Sequence, residues 1–302
     1  MINVALVHEG KAYLPEIAAY EKYLNKHPQF KAEVVSEVKP GMDYDIVWKV
    51  MGFDPVKTKG AVLIHEYNTL TVGKNRAIKD VVKKLFNTKP NGRVYQSEFM
   101  KDFYNFKDKA PFIFREQGID QSYFNVVSEK IYDFVYIGSM DESRQLDAMF
   151  EFFSKTPKWT LLLIGTPNEK LKAQYSSCEN IIYTGRLEQS EIPAYASKAR
   201  YGLNYVPDIY PFNEQISTKL LEYCALNLKI VTLPGRWVNN FESSSQAKFF
   251  KVKKNLSNLT AENLNQFDFI TPDVRNLEWN KLLENSGLIP FLLDLSNNKA
   301  EQ

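Results

Sequence analysis

Tyr132-Asp-Phe-Val-Tyr-Ile-Gly138 is an apolar run too short for a membrane span, and it closes on a glycine. Such a run reads as a buried strand whose backbone turns tightly at its end. A helical stretch follows, with Leu146, Met149, Phe150 and Phe153 on one face. The unit recurs downstream. Trp159-Thr-Leu-Leu-Leu-Ile164 closes on Gly165, and Asn180-Ile-Ile-Tyr-Thr184 closes on Gly185. Further strands are expected at 201–205 and 229–233, with helices near 190–198 and 218–226. Upstream the same alternation holds. Asn3-Val-Ala-Leu-Val7 ends at His8-Glu-Gly10 and precedes a helix carrying Leu14, Ile17, Ala18, Tyr20 and Leu24. Strands at 45–50 and 60–64, a helix at 76–86 (Ile78, Val81, Val82, Leu85) and strands at 93–96 and 111–114 complete a first series. Strands alternating with helices imply an α/β fold with a parallel sheet covered on both faces.

The chain has 302 residues, which suits two domains or one large one. A polar stretch near 125–130 separates the two series, so the expected domains are 1–127 and 128–302, with the C-terminal segment free to pack back on the first. The last dozen residues, ending Asn297-Asn-Lys-Ala-Glu-Gln302, read as frayed. Apolar residues make up 44% and charged residues 25%, which excludes a disordered tail, a collagen or a coiled coil. Two cysteines, Cys178 and Cys224, exclude a disulfide framework and point to a reducing compartment. No leader peptide and no run of ~20 apolar residues is visible, so a cytoplasmic protein is expected. Charge is uneven: residues 1–127 hold 19 basic against 15 acidic side chains, the remainder 19 against 21. Between Lys74 and Lys109 ten basic residues face four acidic ones. That segment suits phosphate, nucleic acid or an anionic membrane, or else is a solvated helix face.

Several active sites are excluded. The sequence has no G-x-S-x-G elbow, no Walker A loop and no G-x-G-x-x-G turn. Its three histidines, His8, His27 and His65, lack metalloprotease spacing, and the cysteines lack zinc spacing. Asp43-Tyr-Asp45 matches a D-x-D cation motif but lies before a strand, where a turn is the better reading. No metal or other cofactor is expected.

The chemistry concentrates in Tyr205-Val-Pro-Asp-Ile-Tyr-Pro-Phe-Asn-Glu214-Gln-Ile-Ser-Thr-Lys-Leu-Leu-Glu222-Tyr-Cys-Ala225. Two prolines hold the loop extended, and a helix starts at Ser217 or Thr218, both competent N-caps. Free N–H groups and about half a positive charge at that start suit phosphate. Lys219 in the first turn opposes the dipole, a penalty that a diphosphate would reverse. Glu214 and Glu222 suit hydroxyls, one on a sugar and one on a ribose.

With seven residues between Glu214 and Glu222, the segment resembles the E-x7-E motif of retaining GT-B glycosyltransferases of family 4. Tyr136-Ile-Gly-Ser-Met140 with Arg144, Leu163-Ile-Gly165, Ile182-Tyr-Thr-Gly-Arg-Leu187 and Gly118-Ile-Asp120 with Phe124 extend the likeness over roughly residues 1–285. The resemblance implies two Rossmann-like doubly wound domains facing a central cleft. It implies that Glu222 binds ribose, that Glu214 binds donor-sugar hydroxyls near the reacting carbon, and that Ser217 and Thr218 amides hold the diphosphate. Ser139 stands where the family usually has Arg, and Arg144 lies near the usual Lys, so Lys219 becomes the substitute cation. Gly10 is the close-approach glycine, His65 lies near the donor sugar, and the backbone beside Arg186 frames the base. The implied activity is transfer from a nucleoside-diphosphate sugar to a glycan or lipid-linked acceptor in polysaccharide synthesis, with retention and without metal. Peripheral contact with an anionic membrane is expected from the basic segment, and nucleic acid is not an expected partner. The alternative is a non-catalytic nucleotide- or glycan-binding partner in a synthesis complex.

Overall fold

A computed structural model describes residues 1–10, 14–39, 41–50, 53–55, 58, 60–71 and 75–300. Lys74, placed above in the basic segment, and the terminal Glu301 and Gln302 lie outside the described residues. The chain divides into two units: residues 1–118 with the C-terminal segment from Leu277, and residues 119–276.

In the first unit the strands are β1 (Ile2–Val7), β2 (Phe30–Val35), β3 (Ile46–Val50), β4 (Val62–Tyr67), β5 (Gly92–Tyr95) and β6 (Phe112–Phe114). They pair in parallel in the order β2-β1-β3-β4-β5-β6. The direction of winding reverses at β1 and β3, the point where doubly wound sheets bind ligands. Helices α1 (Pro15–Leu24), α2 (Arg76–Phe86) and α3 (Glu98–Tyr104) make the crossovers. α1 starts with Pro15, whose fixed φ suits a first helical turn, and buries Ile17, Tyr20 and Leu24 on the sheet. Beneath it Glu66 accepts from Trp48 Nε1 (2.8 Å), Tyr20 Oη (3.0 Å) and Arg115 Nη2. Two buried carboxylates, Glu16 and Glu66, thus share one guanidinium. Burial, set against Arg115, raises Glu16 above the usual carboxylate range.

α2 departs from ordinary amphipathic placement. Its apolar residues Ile78, Val81 and Leu85 are exposed, whereas Asp80 is buried. Thr71 Oγ1 donates to Asp80 at 2.6 Å and accepts from Lys83 Nζ at 2.8 Å, which anchors the polar side inward. Lys84 turns the same way, over the Phe103 ring at 4.3 Å. The helix predicted at 76–86 forms, with its apolar side toward solvent.

In the second unit the strands are β7 (Tyr132–Ile137), β8 (Leu161–Ile164), β9 (Ile181–Gly185), β10 (Ala199–Asn204), β11 (Lys229–Thr232) and β12 (Phe250–Lys251). They are parallel, in the order β12-β11-β10-β7-β8-β9. Counted within the unit this is 6-5-4-1-2-3, the order of the Rossmann fold, with its reversal between β7 and β10. Helices α4 (Asp147–Ser154), α5 (Glu169–Gln174), α6 (Ile192–Ala196), α7 (Thr218–Ala225), α8 (Arg236–Ser244) and α9 (Ala261–Gln266) flank it. Leu146, Met149, Phe150 and Phe153 are buried with Phe134, Tyr136 and Leu163 in one core, as the spacing predicts.

The chain then returns to the first unit in α10 (Trp279–Asn285) and α11 (Leu288–Ala300). The Trp279 ring lies under the Arg115 guanidinium (5.5 Å) and edge-on to Tyr20 (6.5 Å between ring centres). Its indole fills the place where a side chain on Gly118 would stand. At Gly92 a Cβ would lie 2.6 Å from Leu295 and 2.8 Å from Phe291, so α11 closes directly on β5. Both glycines admit the C-terminal segment to the sheet.

Candidate functional site

The carboxyl ends of β7 and β10 frame the candidate site of the second unit. Gly138 leaves β7 with φ +132°, a conformation that favours glycine. The Lys219 side chain crosses it so closely that a Cβ at Gly138 would lie 2.7 Å from Nζ. Gly165 is equally closed: a Cβ there would lie 2.9 Å from the Gly138 carbonyl carbon. The glycine-ended strands therefore serve to admit a lysine tail and a neighbouring backbone.

α7 begins beside this point. Ser217 is its N-cap, accepting from Leu220 N–H (3.4 Å) while its hydroxyl donates to Asn204 Oδ1 (2.7 Å). Asn204 Nδ2 in turn donates to Thr232 Oγ1 at 2.9 Å, so the ends of β10 and β11 fix the helix start. The amides of Thr218 and Lys219 belong to the first turn, which has no intrahelical acceptors for them. Lys219 is half-buried, with Nζ 5.6 Å from the Tyr136 ring centre. Burial and then the like charge of Arg144 bring its ammonium down to about 8. Arg144 lies 4.9 Å from the Phe212 ring centre, and its buried Nε makes no hydrogen bond among the described residues. Two cations and a helix start therefore converge where one carboxylate is already engaged elsewhere. Asp141 accepts from Ser139 Oγ (2.5 Å) and from Ser143 N–H (2.9 Å), and these bonds with Arg144 hold it below the usual range despite burial.

Glu222 sits one turn after Lys219 on the same side of α7. Burial pushes its carboxyl up to about 7, against the opposing effects of Lys219 and of hydrogen bonds from Tyr123 and Gln189. Glu214 is half-buried in the loop before α7, 3.3 Å from Arg236 Nη1 at the start of α8. The loop differs from the extended form predicted from its prolines. Asn213 N–H donates to the Ile209 carbonyl (3.2 Å) and Glu214 N–H to that of Pro211 (3.1 Å), so residues 208–215 are wound into turns. A fixed proline φ is as compatible with a turn as with extension, and Asn213 Nδ2 on Asp208 (3.0 Å) selects the turn. Trp237 N–H on the Asn213 carbonyl (3.2 Å) ties it to α8.

The second unit thus brings together Lys219, Arg144, Ser217, Thr218 and Glu222, with Glu214 in the loop leading to them. Arg186 is exposed after Gly185 at the end of β9. Tyr123, Gln189, Phe212 and Arg236 were not singled out by spacing. Tyr123 lies inside the quoted Gly118–Phe124 stretch, but no local pattern ties it to a glutamate 99 positions on.

His65 and Gly10 belong to the first unit. His65 is 4% exposed in β4, with Nε2 3.0 Å from Asp54, which Lys49 holds at 2.7 Å. Gly10 follows β1 at the reversal, with φ +73° and open space where a Cβ would project. Asp45 accepts from Asn3 N–H at 2.7 Å, at the amino edge of the sheet, as a turn residue would.

No family model and no curated protein matches the sequence. Solved structures do match over the whole chain. Sucrose-phosphate synthase of Thermosynechococcus elongatus has a TM-score of 0.62 at 11% identity, covering 100% of this chain and 98% of its own. HepE of Anabaena, solved with UDP and glucose, gives 0.61 at 9%, covering 100% and 99%. A Listeria monocytogenes protein assigned as a UDP-N-acetylglucosamine 2-epimerase gives 0.58 at 12%, covering 100% and 97%. At these identities the likeness is one of fold: the chain has the two-domain, Rossmann-like GT-B fold.

Proposed function

We propose that this chain is a glycosyltransferase that moves a sugar from a nucleoside-diphosphate sugar to a glycan or lipid-linked acceptor. The observation that carries the reading is the pair Lys219 and Arg144 at the start of α7, with Arg144 Nε buried and without a hydrogen bond among the described residues. A diphosphate supplies the missing acceptor and relieves the repulsion between the two cations. Glu222, one turn on and held by Tyr123 and Gln189, then takes the ribose hydroxyls. HepE has been solved with UDP and glucose, which favours a UDP-sugar donor here.

In the proposed mechanism the bond from the anomeric carbon to the phosphate oxygen breaks as the acceptor hydroxyl bonds to that carbon. The departing phosphate takes the hydroxyl proton, and Lys219, Arg144 and the α7 amides stabilise the negative charge that grows on it. Such preorganised donors contribute most where charge develops, and removing one costs ~2.7–4 kcal/mol in oxyanion holes. Glu214, oriented by Arg236, holds the donor sugar. Gly10 and His65 are assigned to the donor side on the resemblance alone, as are the base-framing segment at Arg186 and retention of configuration. The protein cations make the reaction metal-independent in this reading. A role in polysaccharide synthesis and contact with an anionic membrane surface complete the proposal.

The test is a thermal-shift panel with UDP, GDP, ADP, TDP and CMP. A ligand at 100 times its Kd stabilises by ~2.7 kcal/mol. The expected result is a shift with one diphosphate that Glu222→Ala abolishes, and sugar transfer that survives EDTA. A panel without any shift would overturn the nucleotide site. Binding without transfer favours the non-catalytic partner, and an epimerised product would replace transfer with the chemistry assigned to the Listeria fold neighbour.

A further inference from the structure

α2 turns its polar side into the first unit and its apolar side outward. Ile78 is 64% exposed, Val81 51%, Leu85 70% and Phe86 62%. At 100° per residue, positions 78, 81, 82, 85 and 86 share one arc, while Asp80 and Lys83 lie opposite and are hydrogen-bonded through Thr71. The arc continues past the helix end. Asp54 N–H donates to Asn87 Oδ1 (2.9 Å) and Thr88 N–H to the Asp54 carbonyl (2.7 Å), which brings the exposed Phe53 beside it.

The charges around the arc restrict what covers it. From Asn75 to Ser97 the only acidic residue is Asp80, and it is buried. Lys79 and Lys89 are exposed. A symmetric pairing of α2 with its copy would set these lysines against each other, the exposed acids Glu98 and Asp102 lying on the neighbouring α3 rather than along the arc. An anionic bilayer supplies both an apolar layer and the countercharge. A one-sided helix with leucine and phenylalanine outermost and lysines at its border is the form that lies in a lipid interface.

We infer that α2 is a membrane-surface element that inserts Ile78, Val81, Leu85 and Phe86 into an anionic bilayer, with Lys79 and Lys89 at the headgroups. This deepens the membrane contact proposed above, and it changes its basis from a basic patch to apolar insertion. It does not need sugar transfer to be correct, because vesicle binding and nucleotide binding are read separately.

The test is flotation of the full chain with vesicles of phosphatidylcholine and phosphatidylglycerol at 70:30, and with phosphatidylcholine alone. The expected result is co-flotation with the anionic vesicles, reduced about tenfold by Leu85→Glu with Phe86→Glu and weakened several-fold by Lys79→Glu or by 0.5 M NaCl. Both glutamates replace exposed residues, and an unchanged urea midpoint establishes that the variants are folded. The proposal is overturned if the native chain stays with the soluble fraction, or if the double variant floats like the native chain. It is also overturned if the double variant converts a dimer to a monomer in light scattering and leaves vesicle binding unchanged.

Discussion

Lys219 and Glu222 are held in opposite charge states by a narrow margin. Burial lowers the lysine to about 8 and raises the glutamate to about 7, so both are charged only between those values. A diphosphate needs the ammonium, and ribose hydroxyls donate best to the carboxylate. Below pH ~7 binding must first remove a proton from Glu222; above pH ~8 it must return one to Lys219. Affinity for the cognate nucleotide is therefore expected to peak between these values and fall by up to tenfold per unit on either side. Calorimetric titration from pH 5.5 to 9.5 checks this, and Lys219→Met should flatten the alkaline limb. A profile without either limb would refute the assignment. At this scale the sequence was informative where a motif exists. Glu222 and Lys219 stand out through spacing and helix polarity. Arg236 and Tyr123 reach the site only through folding, because neither a strand-end Pro-Gly nor a short stretch after Gly118 announces a partner for a distant glutamate.

Elements were legible in proportion to how simply they are buried. Strands covered on both faces read as apolar runs, which is why β1, β3, β4, β7 and β8 can be placed from the sequence. β2 alternates Phe30 and Ala32 inside with Lys31 and Glu33 outside, as an edge strand does, and gives no such run. α2 shows the limit of periodicity. Spacing places the apolar residues on one side of the helix, but which side meets the protein depends on Thr71, far outside any helical pattern. Gly118 shows the same limit from the glycine side. In the sequence it stands out only through the Gly-Ile-Asp stretch, and the structure gives the place beside it to the Trp279 indole. Gly118→Ala is accordingly expected to cost ~1–3 kcal/mol by overpacking, read as a lower urea midpoint with unchanged m. Combined with Trp279→Ala the cost should be less than the sum of the two, because the residues share one contact.

For the molecule as a whole, the decisive feature is that the segment from Leu277 returns to the first unit. Trp279, Phe291 and Leu295 are buried in α10 and α11, Trp279 against Gly118 and Phe291 with Leu295 against Gly92. Truncation after Asn276 is expected to remove or strongly lower the unfolding transition of the first unit in calorimetry. The second unit, whose core from Phe134 to Leu264 is its own, should keep its transition. A truncated chain with both transitions unchanged would contradict this. Sequence periodicity conveys two series of strands and helices and leaves the C-terminal segment free to pack back on the first; it carries no signal that Gly92 and Gly118 are what receive that segment. The outward side of α2 has a consequence for kinetics. A protein that rests on a bilayer meets an acceptor embedded there by diffusion in a plane. Its turnover would then follow the mole fraction of acceptor in the lipid, and diluting the vesicles in buffer at constant composition would leave the rate per bound molecule unchanged.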